Sequence, residues 1–148
     1  MPSTHHALYY HLIFSTKNRE KWFTEPLIRD LHQYLGGIIR AMDGIPTAVG
    51  GIEDHVHILM SLKPSHTLSK VMRELKADSS RWIKKELKRP TFSWQEGYGA
   101  FTVSAPGVED VRSYVIHQKE RHQQKSYKEE YLEMLGRGMI EFDDRYLW

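Results

Sequence analysis

The stretch Gly50-Gly51-Ile52-Glu53-Asp54-His55-Val56-His57-Ile58-Leu59-Met60-Ser61-Leu62 constrains the fold more than any other part of this chain. Two glycines followed by two acidic residues predict a turn, and the alternating apolar run behind them predicts a strand. Successive strand side chains point to opposite faces, so Val56, Ile58, Met60 and Leu62 face a core while His55 and His57 project together from the other side. Two imidazoles on one strand face suit a metal ion, because neutral imidazole is the commonest nitrogen ligand. The pair equally fits a hydrogen-bonded, half-buried face. It gains chemical meaning only with a third ligand and a reactive group.

The rest of the chain supplies a sheet around that strand. Ala7 to Ser15 is β-prone, with Leu8, Tyr10, Leu12 and Phe14 on one face. Thr24-Glu25-Pro26 starts a helix on which Leu27, Leu31, Tyr34, Leu35, Ile38, Ile39 and Met42 recur at helical spacing, ended by Asp43-Gly44. Ile45 to Val49 reads as a short strand, and Pro46 predicts that it lies at a sheet edge. Gly50 to Asp54 turns the chain back into the histidine strand. Thr67 caps a second helix with Leu68, Val71, Met72, Leu75, Trp82, Ile83 and Leu87 buried, stopped before Pro90. Phe101 and Val103 mark a last strand. The order β-α-β-β-α-β is the ferredoxin-like (RRM-like) α+β arrangement, with both helices on one face of an antiparallel sheet. The face carrying His55 and His57 is left for something else.

A third helix, from about residue 107 to 124, follows the breaker Ala105-Pro106-Gly107. Tyr114 and Gln118 are four residues apart on it and share one side. If the helix crosses the open sheet face, a phenol and a carboxamide oxygen approach the two imidazoles; an amphipathic helix whose Tyr114 packs by its ring is the alternative. A C-terminal segment of about residues 125–148 follows, so that 1–148 reads as one domain with its sheet core in 7–104.

Composition narrows the chemistry. The 148 residues are 40% hydrophobic and include no cysteine, which excludes disulfides, thiolate metal sites and a cysteine nucleophile. No apolar run approaches the roughly 20 residues needed to cross a bilayer, and the N-terminus lacks a signal-peptide apolar region, so a cytoplasmic, non-membrane protein is expected. The net charge is only +2, but positive charge concentrates on the second helix at Lys70, Arg73, Lys76, Arg81, Lys84 and Lys85, which suits phosphate contacts as well as a solvated face. Trp94 and Tyr98, near glycines, are candidates for stacking on unpaired bases or for sheet contacts.

Asp54-His55-Val56-His57-Ile58-Leu59, Phe101-Thr102-Val103-Ser104 and Tyr114-Val115-Ile116-His117-Gln118-Lys119-Glu120-Arg121-His122, in that order, resemble the single-tyrosine HUH transposases of bacterial insertion sequences and their REP-associated relatives. The resemblance runs from Tyr10-His11-Leu12-Ile13-Phe14-Ser15-Thr16 to Glu141-Phe142-Asp143-Asp144-Arg145-Tyr146-Leu147-Trp148. It implies that His55, His57 and Gln118 are metal ligands and Tyr114 the nucleophile. Where the family's helix often ends in two adjacent histidines, this chain has Arg121-His122.

The resemblance further implies cleavage and rejoining of single-stranded DNA with hairpin-bearing ends through a 5′-phosphotyrosine, a homodimer, and no nucleotide cofactor. Ligand softness favours zinc or nickel for two imidazoles and an amide, whereas the resemblance implies Mg2+ or Mn2+. Two other readings compete. A ferredoxin-like nucleic-acid-binding module without catalysis lacks here the aromatic RNP pattern on its strands. A divalent-metal phosphodiesterase without a covalent step would make Tyr114 dispensable.

Overall fold

In the computed structural model, residues 3–142 are described. Asp143 to Trp148, the end of the run that resembles the transposases, lie outside the described residues. The elements are β1 (Tyr9–Ser15), α1 (Leu27–Ala41), β2 (Ile45–Ile52), β3 (His55–Ser61), α2 (Leu68–Lys85), β4 (Gly99–Val103), α3 (Val108–Ile116), α4 (Gln118–Arg121) and α5 (Tyr127–Arg137). The four strands form one antiparallel sheet in the order β2-β3-β1-β4. This is the expected α+β ferredoxin-like topology, with Pro46 on an edge strand.

Alternation along the strands divides the sheet into two faces. Leu12 and Phe14 of β1 and Val56, Ile58 and Met60 of β3 pack with Leu31, Leu35 and Ile39 of α1 and Val71, Met72, Leu75 and Ile83 of α2. The opposite set, Ile13 with Tyr127, Tyr131 and Leu135, and Ala48 and Leu59 with Val115, lies under α3 and α5. Trp94 belongs to the first core, its indole N–H donating to Ser79 Oγ at 3.0 Å. It is therefore a packing residue and takes no part in base stacking.

Two local departures from the sequence reading have physical causes. β2 continues through Gly50 and Gly51, which pair with His57 and Val56, so only Glu53-Asp54 makes the turn. Gly50 serves close approach instead: a Cβ there would fall 1.9 Å from the Val115 carbonyl oxygen, so the backbone of α3 rests directly on β2. Gly51, with φ of 141°, adopts a conformation that L side chains rarely take.

The tyrosine helix, expected to run unbroken, changes course at His117 (φ −105°, ψ 30°). The His117 ring bonds the Ser113 carbonyl at 2.7 Å and the Gln118 side-chain amide donates to the Tyr114 carbonyl at 3.1 Å. The Ser113 carbonyl also keeps its helical bond from the His117 backbone N–H at 3.2 Å, so it is at the Tyr114 carbonyl that a side chain takes the place a continuing helix would give to its backbone. The C-terminal segment contains α5, started by Ser126 as N-cap: the Glu129 N–H donates to Ser126 Oγ at 3.2 Å, and the Ser126 hydroxyl donates to Glu129 Oε1 at 3.1 Å.

Candidate active site

His55 and His57 stand on the sheet face away from α1 and α2, as the alternation requires, and both are fully buried. Their expected position on an open face is corrected by what covers them: α3, the turn into α4, and α5. Gly50 permits the close descent of α3, which brings the Tyr114 ring to 5.5 Å from that of His57. Tyr114, Gln118, His55 and His57 therefore come together within one chain.

The hydrogen-bond partners determine what each ring presents. His55 Nδ1 lies 2.7 Å from Asp54 Oδ1, so Nδ1–H donates to the carboxylate. With Nδ1 so engaged, Nε2 is the ring nitrogen that points toward Gln118 Oε1 at 3.4 Å and Glu130 Oε1 at 3.9 Å. Lone pairs converging in this way suit a cation. His57 Nε2 donates to Glu130 Oε1 at 2.8 Å, and on its other side His57 Nδ1 lies 2.8 Å from His11 Nε2. His122 Nε2 faces two acceptors, Gln118 Oε1 at 2.9 Å and Glu130 Oε2 at 3.2 Å.

Glu130, His122 and His11 were not among the residues singled out by their sequence motifs. Glu130 was hidden among the acids of α5, but the N-cap Ser126 and Tyr127, Tyr131 and Leu135 at four-residue spacing mark a helix with an inward face beside which Glu130 falls. His11 was visible by alternation, because Tyr10, Leu12 and Phe14 facing the core leave His11 on the histidine face.

A divalent cation fits this donor set. One ligand atom from each of His55, His57, His122 and Glu130 lies within 4.8 Å of all the others. The carboxylate adds an anionic oxygen to the imidazoles, which brings the set closer to what Mn2+ or Mg2+ accepts than imidazoles and an amide alone.

Charge states follow from burial and from Glu130. Burial by itself would raise the Glu130 carboxyl, but hydrogen bonds from His122 and His57 outweigh it and hold Glu130 below the usual carboxylate range. For His122, burial pulls downward, yet the bond to Glu130 leaves it above the ordinary histidine value. Burial and then the Glu130 carboxylate push the Tyr114 phenol above its ordinary value, so it is neutral at pH 7.

Burial lowers His11 to about 3 and His32 and His57 to about 4. Depressed folded-state values mean that the unfolded chain takes up protons below pH 6.5 that the folded chain refuses. Stability of the chelator-treated protein is therefore expected to fall from pH 6.5 toward pH 4, by about 1 kcal/mol per pH unit for each histidine. His122, raised, contributes in the opposite sense, and Glu130 adds to the loss only below about pH 4.5. Urea denaturation at pH 7 and pH 5 checks this; equal midpoints would contradict it.

The basic residues of α2 lie on the other side of the sheet. Lys70, Arg73, Arg81, Lys84 and Lys85 are exposed, with Arg81 paired to Asp78. Lys76 differs: its Nζ donates to the carbonyls of Gln95, Glu96 and Gly97 at 2.9, 3.2 and 2.6 Å, and burial lowers it to about 8. It ties α2 to the segment before β4, and its ammonium also lies 5.6 Å from the centre of the Tyr98 ring. Beside Tyr114 a cleft of about 440 Å³ opens between His11, Phe101, Val111, Arg121 and Arg137. The Arg121 guanidinium sits 4.4 Å from the centre of the Tyr114 ring.

Comparison with known proteins bears on the fold and the family. No curated protein matches the sequence. Among solved structures, a provisionally named transposase of Deinococcus radiodurans is similar with a TM-score of 0.65 and 26% identity, over 78% of this chain and 93% of that one. A REP-associated tyrosine transposase bound to a REP hairpin shares the fold with a TM-score of 0.56 and 13% identity, over 78% of this chain and 70% of that one. Residues 4–118 match the family described as transposase IS200 like, a span that includes Tyr114 and ends at Gln118, before His122 and Glu130. The chain belongs to the IS200-like transposase family.

Proposed function

We propose that the protein cleaves and rejoins single-stranded DNA through a covalent bond between Tyr114 and a 5′-phosphate. The observation that carries this reading is the convergence of a phenol, three imidazoles, a carboxamide and a carboxylate at the start of a cleft. His55, His57 and Gln118 would hold a divalent cation, with Glu130 and His122 in the same cluster. Bound there, the cation supplies Lewis-acid polarisation of the phosphate and offsets charge on the departing oxygen.

The residues of the chain perform the remaining work. The Tyr114 oxygen forms a bond to phosphorus as the bond from phosphorus to the 3′-oxygen breaks. Its proton is lost to solvent in the cleft, because Glu130, held below the usual carboxylate range, orients the phenol but is too weak a base to take the proton from it. The 3′-oxygen takes a proton from solvent and leaves as a hydroxyl. The phosphotyrosine keeps the energy of the bond, so a second 3′-hydroxyl can attack it and regenerate Tyr114 without ATP. Arg121 and Arg137 at the cleft suit phosphates, and Phe101 suits a base. Incubation with labelled hairpin oligonucleotides and Mn2+, followed by denaturing electrophoresis, tests for the adduct.

Hairpin DNA as substrate is supported by the family and by the hairpin bound to the REP-associated neighbour. Lys70, Arg73, Arg81, Lys84 and Lys85 offer a second contact surface; a strand touching both this surface and Tyr114 has to pass an edge of the sheet. Reversing charge at Lys84 and Lys85 is expected to weaken hairpin binding and to shrink the salt slope by about one per lost phosphate contact. Unchanged affinity would move the DNA to another surface.

A homodimer formed along the outer edge of β4, which among the described residues pairs with β1 alone, remains part of the proposal, since pairing would cover a strand edge. Sedimentation at micromolar concentration reads it directly; a monomer there would remove the dimer. Because each chain assembles its own tyrosine and histidines, such a dimer carries two complete sites. Among the described residues no helix is long and apolar enough to cross a membrane.

A further inference from the structure

We propose that His11 is a positioning residue: its hydrogen bond to His57 selects the ring nitrogen that His57 offers to a metal, and metal uptake reverses the direction of that bond. The inference rests on the metal reading above and adds to it a residue on β1 that touches none of the reacting atoms.

The geometry dictates the proton positions. His57 Nε2 is 2.8 Å from a carboxylate oxygen of Glu130, which can only accept, so the proton of the neutral His57 ring is on Nε2. His57 Nδ1 is then a bare acceptor, and the 2.8 Å contact to His11 is an N–H of His11 Nε2 donating to it. Yet Nε2 is the His57 atom that faces His55, His122 and Glu130. A cation bound there needs the lone pair that the proton occupies.

The pair resolves this by exchange. His57 releases its Nε2 proton to solvent, His11 passes its Nε2 proton across the 2.8 Å contact to His57 Nδ1, and His11 takes a solvent proton on its own Nδ1. One proton leaves and one enters, so each ring stays neutral. His57 Nδ1–H now donates to His11 Nε2, and Nε2 of His57 is free to ligate. His11 lines the cleft beside Tyr114, and the buried residue keeps 6% of its surface exposed. His55 needs no such partner, because Asp54 already holds its proton on Nδ1.

Only a residue that both donates and accepts at the same place can serve each state. An imidazole does so by changing tautomer, and a glutamine by turning its amide; an aliphatic side chain does neither. Metal-ligating histidines characteristically have an outer partner on the second ring nitrogen, and loss of that partner weakens binding about 10–100-fold.

The test uses the full chain labelled with 15N-histidine. In long-range 1H–15N spectra of the chelated protein, His57 and His11 are both expected as Nε2–H tautomers; with Zn2+ alone added, both become Nδ1–H. A His57 proton already on Nδ1 without metal, or a His11 tautomer unchanged by it, would overturn the inference. In parallel, Mn2+ affinity is expected to fall about 10–100-fold in His11→Leu and to stay near wild type in His11→Gln. Wild-type affinity in His11→Leu would also overturn it. A wild-type protein that takes up neither ion removes the metal reading itself, a result distinct from the other two.

Discussion

Tyr114→Phe is expected to abolish covalent DNA adducts altogether while leaving hairpin binding in place. The substitution deletes one oxygen from a half-buried ring whose packing against Arg121 and His57 is otherwise kept. Loss of its hydrogen bonding to Glu130 costs about 1 kcal/mol of stability, too little to unfold a domain of this size. Adduct yield on denaturing gels and hairpin affinity measured on the same preparation separate the two effects. An adduct at normal yield would move the nucleophile to another tyrosine. Tyr127 and Tyr131 follow it in the chain, but both are buried in the packing of α5.

His57→Ala is expected to eliminate cleavage and to destabilise the fold as well, by about 3–5 kcal/mol in urea denaturation. From strand alternation alone the histidines face away from the core, which predicts a mild effect on stability. The structure reverses that expectation, because His57 is fully buried and its removal deprives Glu130 and His11 of a partner together. It also leaves a cavity beneath Tyr114, which adds to the loss. Glu130→Ala is expected to resemble it, with His122 and His57 losing a shared acceptor. Stability unchanged in both variants would contradict the buried cluster described above.

Much of the fold was readable because its signals are local. Period-two alternation in Tyr10-His11-Leu12-Ile13-Phe14 and in His55 to Met60, and period-3.6 stripes in α1 and α2, identify the sheet and its two helices directly. The spacing of Tyr114 and Gln118 survives the break at His117, so that pair could be read as well. What covers the histidine face could not be read in the same way. The burial of His55 and His57 depends on how far α3 descends, which rests on Gly50, and a glycine pair beside two acids reads more naturally as a turn. Glu130 comes from a helix 73 residues beyond His57, and nothing in one strand's pattern points that far along the chain. Lys76 shows the converse: a lysine among exposed basic neighbours is taken for a phosphate contact until its three carbonyl partners are seen.

The central claim is that Tyr114 forms a covalent bond to DNA in a metal-dependent reaction. It is tested most directly by incubating the wild-type protein with a single-stranded hairpin oligonucleotide, with Mn2+ or with chelator, and mapping the product by peptide mass spectrometry. The expected result is a Mn2+-dependent adduct in which the 5′-phosphate of the cleaved strand is attached to the peptide containing Tyr114. Metal-dependent cleavage without any covalent adduct, or an adduct on a different residue, would contradict the account.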